Sequence, residues 1–340
     1  MQGTPTDIAT RHLAETSRWK PMEFVFWLVA FGAIWLLPSH HLILNEILIT
    51  ALFAMSLDLI LGYAGIASLG HAAFFGFGAY FAGIFAIRVI GDPLTGLVLA
   101  TLASGALGFI TSFLVLRGVD LARLMVTLGV ALVLGEIANK MTWLTGGADG
   151  LQGVMMGPVL GLFEFDLYGR TAYVYSLVVT FLLFLMARRI VVSPFGLSLR
   201  TIRDNPLRAR AIGIPVNRRL IAVYTLAAAY AGAAGALLAQ TTQFVSLDVI
   251  ALHRSADVLL MLVIGGTGYL YGGFAGAIVF KVLQEVISNW TPQYWTFWIG
   301  LILVILVLIG RERMNHRAAV LWARLRGKPE PRPRTIVGGH

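Results

Sequence analysis

Six ionisable side chains stand in or at the ends of long apolar runs of this sequence: Asp58, His71, Glu136, Asp257, Lys281 and Glu285. In such a setting they could carry a proton relay, coordinate an ion or line a polar path, because charge in lipid is kept where it faces protein or water. A relay needs groups along one route, and these are scattered over different runs. Lys281 and Glu285 lie four apart, so one helical turn could pair them. Structural hydrogen bonds to neighbouring helices are the expected role of Asp58 and His71. Glu136 and Asp257 stand near run ends, where solvent reaches them. His40 and His41 are adjacent, and neighbours in sequence do not converge on a metal as residues four apart on a helix would. The absence of cysteine removes disulfides, thiolate metal sites and thiol nucleophiles. No nucleophile and base cluster as a membrane enzyme would require. Nor is there a GxxxxGK[ST] phosphate loop; Gly327-Lys328 is followed by proline. Energy for any work must come from a partner or an ion gradient.

The elements that hold these residues are set by lipid. Of 340 residues, 58% are hydrophobic and 13% charged, with a mean hydropathy of +0.79, whereas soluble domains carry about a quarter charged residues. Such a chain is an all-α, polytopic integral membrane protein. Apolar stretches suited to spans run near 22–37, 41–61, 72–90, 95–116, 121–140, 171–191, 219–241, 254–265, 270–289 and 293–310. The stretch 254–265 is too short to cross alone and reads as a broken or half helix, giving nine or ten spans. The first apolar run lacks a small-residue cleavage site and is expected to be retained.

Net charge of +9 would suggest nucleic acid in a soluble protein, but here its distribution points to membrane topology. With a cytoplasmic N-terminus and ten crossings, 21 of the 26 basic residues fall on the cytoplasmic side, as the positive-inside rule requires. Both termini are therefore expected in the cytoplasm. The organisation expected is a cytoplasmic segment 1–21, a transmembrane domain 22–310 and a disordered, proline-rich tail 311–340. Within the domain lie a glycine-rich outer loop, 141–170, and a basic inner loop, 193–218.

That inner loop carries more than topology needs. Its run "LSLRTIRDNPLRARAIGI" sets Leu199, Ile202, Leu207 and Ile212 among arginines, and Asn205-Pro206 breaks it into two helical pieces. The spacing alone admits an interfacial helix on anionic headgroups or an element docking a cytoplasmic partner. Glycines have two uses. Ala228, Gly232 and Ala236, and likewise Gly268, Gly272 and Gly276, recur every four residues, a pattern for close helix packing in lipid; Gly76 and Gly83 offer the same. The glycine-dense windows 62–70 and 265–268 read instead as interrupted helices, the segments at which transporters free backbone to line a path.

The motifs "GYAGIASLGHAAFFGFGAY", "LTGGADGL", "LRTIRDNPLRARAIGIPVNRRLIAVYTLAAAYAGAAGAL" and "VLLMLVIGGTGYLYGGFAGA" follow one another over about 41–310. In this order they resemble the permeases of branched-chain amino acid ABC transporters, the M-type subunit most closely. The resemblance implies a non-catalytic subunit of a bacterial inner-membrane importer. Its partners would be a second, homologous permease, two cytoplasmic ATPases that bind ATP and Mg, and a periplasmic substrate-binding protein. The chain itself would hold no cofactor and no metal. Carried onto this sequence, the coupling residues are Arg200, Arg203, Asp204, Arg208, Arg210 and Gly213. The translocation path would involve Gly62, Gly65, Ile66, Ser68, His71, Gly265, Gly266 and Gly268. Gly146, Gly147, Asp149 and Gly150 would face the binding protein.

Two departures touch the substrate: Ile66 stands where relatives often carry a polar residue, and "GGTGYLYGG" where many read closer to "GGLGSLWGP". An apolar Ile66 on the path would favour a less polar cargo. Branched-chain amino acids are the expected cargo, with urea, amides or aromatic acids as alternatives on the same machinery. A gradient-driven secondary transporter is the alternative of another class.

Overall fold

The computed structural model describes residues 21–118, 120–294, 297–302 and 304. The segment 1–20, most of the expected last span and the tail 311–340 lie outside them. Among the described residues the protein is helical, with two isolated β-bridges and no strand. Its α-helices of six or more residues are α1 (Pro21–Leu36), α2 (His41–Ala64), α3 (Ala72–Arg88), α4 (Pro93–Val115), α5 (Asp120–Lys140), α6 (Arg170–Val192), α7 (Pro194–Asp204), α8 (Pro206–Ala211), α9 (Val216–Thr242), α10 (Leu252–Gly265) and α11 (Leu270–Trp290). Nine of them coincide with expected apolar segments, because burial in lipid leaves a helix no other way to satisfy its backbone. Six of these segments are long and apolar enough to cross a bilayer, while α1 and α3 are shorter apolar helices. At 14 residues α10 rises only about 21 Å, short of the hydrocarbon thickness of about 30 Å.

Two compact units divide after residue 278. In the second, 279–340, the end of α11 continues to Trp290. There Asn289 donates to Glu285 at 3.3 Å, and Phe297 meets Trp298 edge to face.

The first unit is built around α2 and α9. Over its most apolar window α2 is 83% buried, α9 72% and α5 17%, so α2 and α9 form the interior and α5 presents its side chains outward. Close approach explains why α9 can touch α2, α3 and α4 at once. A Cβ on Gly78 would strike the Gly232 backbone, one on Gly232 would strike Ser104, and one on Gly235 would strike the Phe75 carbonyl. The Ala228–Gly232–Ala236 stripe thus packs as its spacing predicts. Of the other stripe, Gly272 and Gly276 lie in α11, but Gly268 falls in the turn before it. The partner that completes the packing is Gly265: its Cβ would strike the Gly272 carbonyl, and one on Gly276 would strike Met261. Glycines thus close α10 onto the first turns of α11.

Aromatic rings weld α1 to α6 and to the start of α11 through Trp27, Phe184, Tyr271 and Phe274. The Arg188–Glu23 ion pair joins the same two helices, α1 and α6.

Candidate functional site

Two short helices, α7 and α8, form the connection between α6 and α9. Pro194 and Pro206 each sit in a first helical turn, and Asn205 accepts from the Arg208 N–H at 2.9 Å. That cap and the proline ring break the element where the sequence predicts. Gly213, with φ +85, follows α8 in the left-handed region. The apolar residues divide: Leu199 and Ile202 are buried, whereas Leu207 and Ile212 are 73% and 65% exposed. The arginines divide by what they touch. Arg208 and Arg210 are exposed on α8, but Arg200 stacks over the Tyr63 ring at 5.3 Å and Arg203 donates to the Gly62 carbonyl. Asp204 is exposed and paired with Arg203 at 3.3 Å.

The first glycine-dense interruption, 65–71, is closed by hydroxyl groups. The Leu69 N–H donates to Thr127 of α5, that of Gly70 to Ser68, and that of Ala72 to Ser255 of α10. Ile66, Ser68 and His71 are fully buried. His71 stacks on Phe53, 5.6 Å between centroids, and its Nε2 is 2.8 Å from the Ser56 hydroxyl. Gly65 turns the chain with φ +71. The second interruption, Gly266 to Tyr269, turns with φ +99 at Gly266 and +80 at Gly268. It meets α2, just before the first interruption, at Asp58, whose Oδ1 accepts from the Gly268 N–H at 2.8 Å. Gly62 has no space for a Cβ, because Asp58 and the Gly268 backbone occupy it. Sequence spacing separates these motifs by some two hundred residues; the fold brings them together.

At the other end of the bundle, Gly146, Gly147 and Gly150 all have positive φ. A Cβ on Gly146 would strike the Gly150 carbonyl. Leu151 and Val245 exchange backbone hydrogen bonds of 2.7 and 3.3 Å, and the Gly157 N–H donates to Gly91. Asp149 projects from this folded loop, exposed.

One cavity face was not expected from the sequence. Ala73, Phe77, Tyr80, Phe81, Ile84 and Arg88 fall on one face of α3 and, with α5, line an apolar cavity of about 550 Å³. A second cavity of about 260 Å³ shares Ile84, Arg88 and Leu144 with it and borders Gly146 and Gly150. Polar groups are few: the buried Tyr80 hydroxyl has no hydrogen-bond partner, and Arg88 donates to the Trp143 carbonyl at 2.9 Å while stacking on that ring. The aromatic i, i+3, i+4, i+8 spacing of Phe77, Tyr80, Phe81 and Phe85 in "AFFGFGAYFAGIF" was the available signal. Ile66 lines neither cavity. Glu136 pairs with Lys140 at 3.7 Å on an exposed face. Among the described residues no three His, Asp or Glu converge as metal ligands would.

Comparison with known proteins places the architecture. Residues 41–308 match the model of a family described as branched-chain amino acid transport system / permease component. The high-affinity branched-chain amino acid transport permease protein LivM of Salmonella typhimurium is 26% identical over 77% of this chain and 66% of its own length. The chain therefore spans about two thirds of that relative. The autoinducer 2 import permease protein LsrC of an Enterobacter strain is 29% identical over 67% of each chain. A fructose import permease protein, FrcC of Rhizobium meliloti, is 27% identical over 84% of this chain and 83% of its own. No solved structure matches. With the family's model covering the chain from α2 through the end of α11, this protein belongs to the branched-chain amino acid transport system permease components.

Proposed function

We propose that the chain is the membrane-spanning permease subunit of an ATP-driven importer in a bacterial inner membrane, with both termini in the cytoplasm and no catalytic role of its own. The observation that carries this reading is the exposed half of α7–α8. Leu207 and Ile212 stand out into solvent beside Arg208 and Arg210 on an element too long for a simple connection. An apolar tooth flanked by arginines suits a groove on a cytoplasmic ATPase, of which the importer would use two. The second permease would complete the path, and the loop around Gly146–Gly150 would meet the periplasmic binding protein.

For cargo, the cavity along α3 supports a small apolar amino acid over a sugar. A sugar needs a hydrogen-bonding partner for each hydroxyl, and burying one without a partner costs roughly 1–3 kcal/mol. Phe77, Phe81 and Phe85 offer no such partners, while Arg88 at one end offers a cation for a carboxylate. The relatives named for autoinducer 2 and fructose keep the comparison open to test. Co-purification with the ATPase subunits addresses the machinery: Arg208→Glu/Arg210→Glu should lose the ATPases while the chain stays folded. Normal assembly of that double variant would contradict the docking role. Competition for uptake should be strong with leucine and absent with fructose.

A further inference from the structure

The inward-facing side of α7 poses a separate question, since a helix that only docked a partner would not need its arginines turned into the bundle. Arg200 and Arg203, three apart on one face, both reach the last turns of α2. Arg203 donates to the Gly62 carbonyl, and its stem lies so close to Gly65 that a Cβ there would come within 2.9 Å of its Cγ. Arg200 covers Tyr63. Beyond α2 the chain of contacts continues into the second interruption. Asp58 accepts from the Gly268 N–H at 2.8 Å, and the Tyr63 hydroxyl lies beside the Leu270 backbone as well as Arg200. Two parallel routes thus run from α7 through α2 to residues 268–270.

What lies beyond that turn makes the routes consequential. Contacts of Gly265 with Gly272, and of Gly276 with Met261, leave α10 and the start of α11 no room to slide, so the pair moves as one. The Ser255 hydroxyl of α10 accepts from the Ala72 N–H, at the start of the helix whose face lines the cavity. Displacement of the 266–269 turn would therefore reach α3 through packed backbone and one hydrogen bond.

We propose that Arg200, Arg203, Tyr63 and Asp58 form a latch fastening the 266–269 turn to α7, so that a stroke of α7 is delivered to α10 and onward to the cavity face of α3. This rests on the reading of α7–α8 as the ATPase-docking element. The four are positioning residues: they act through the turn and do not touch cargo.

The chain has no cysteine, so an exposed Thr267→Cys accepts a single fluorophore beside the latch. In the complete transporter reconstituted in liposomes, ATP should change the emission of that probe. Arg203→Ala and Asp58→Ala should lower both that response and the transport per ATP hydrolysed about tenfold. Asp58→Asn keeps the acceptor for Gly268 and should retain most of both. Arg203 is 41% exposed and removable without opening the core, so it still tests the latch if Asp58→Ala does not fold. An unchanged probe response and unchanged transport per ATP in Arg203→Ala would overturn the latch. So would a loss in Asp58→Asn equal to that in Asp58→Ala, or a silent probe in an otherwise unsubstituted transporter that imports cargo. If no ATPase assembles with the unsubstituted chain, the permease reading falls, and the latch with it.

Discussion

The two glycine-dense interruptions look alike in sequence, yet they solve different problems. In the window 62–71, Gly62 and Gly70 exist to make room: a Cβ on Gly62 would strike Asp58 and Gly268, and one on Gly70 would strike the Thr127 carbonyl. Only Gly65 there needs a positive φ. Its side chains Ile66, Ser68 and His71 are sealed inside, and its free N–H groups are met by hydroxyls. In the window 265–269, Gly266 and Gly268 both have positive φ, Thr267 is exposed and Tyr269 is 73% exposed. The first is an anchor set in the core; the second is a turn at the surface of the first unit, tied by Asp58. Glycine content alone says that a helix is broken, and burial says what the break does.

The largest effect should come from Gly62→Ala, which drives a methyl into a carboxylate and a neighbouring backbone. Such overpacking costs about 1–3 kcal/mol, and thermal unfolding in detergent should show it as a marked loss of stability. If Gly62→Ala were neutral, the view of the first window as a filled anchor would break. Next is Ile66→Gln. Because Ile66 is fully enclosed, the added amide would be buried without a partner at a cost of roughly 1–3 kcal/mol. The expected outcome is lower stability with cargo preference unchanged; a changed preference at full stability would place Ile66 on the path. Smallest is Gly268→Ala, where the nearest atoms stand 3.4 Å from the new Cβ and the strain is chiefly that of φ +80. That costs about 1–2 kcal/mol, and the effect should appear more in transport than in melting temperature. Equal destabilisation at Gly62 and Gly268 would erase the distinction between the windows.

Much of the fold was legible because lipid imposes simple demands. Long apolar runs had to be helices, and α10 was short in sequence before it was short in space. Asn205-Pro206 announced the break between α7 and α8, since ring and cap act locally. Long-range partners were not legible. Nothing near Asp58 in sequence names Gly268, and helical periodicity could not say that Arg203 turns inward while Arg208 turns out. The aromatic face of α3 was overlooked for a related reason. In lipid both the packed and the cavity-lining faces of a helix are apolar, so hydropathy does not separate them.

The source of energy separates an ATP-driven permease from a gradient-driven transporter most directly. Proteoliposomes should accumulate labelled leucine against its gradient when this chain, its second permease and the ATPases are reconstituted with a binding protein and internal ATP. Without the ATPases, an imposed proton or sodium gradient should drive nothing. Gradient-driven uptake by this chain alone, indifferent to ATP, would contradict the reading of α7–α8 as the element through which ATP hydrolysis is felt.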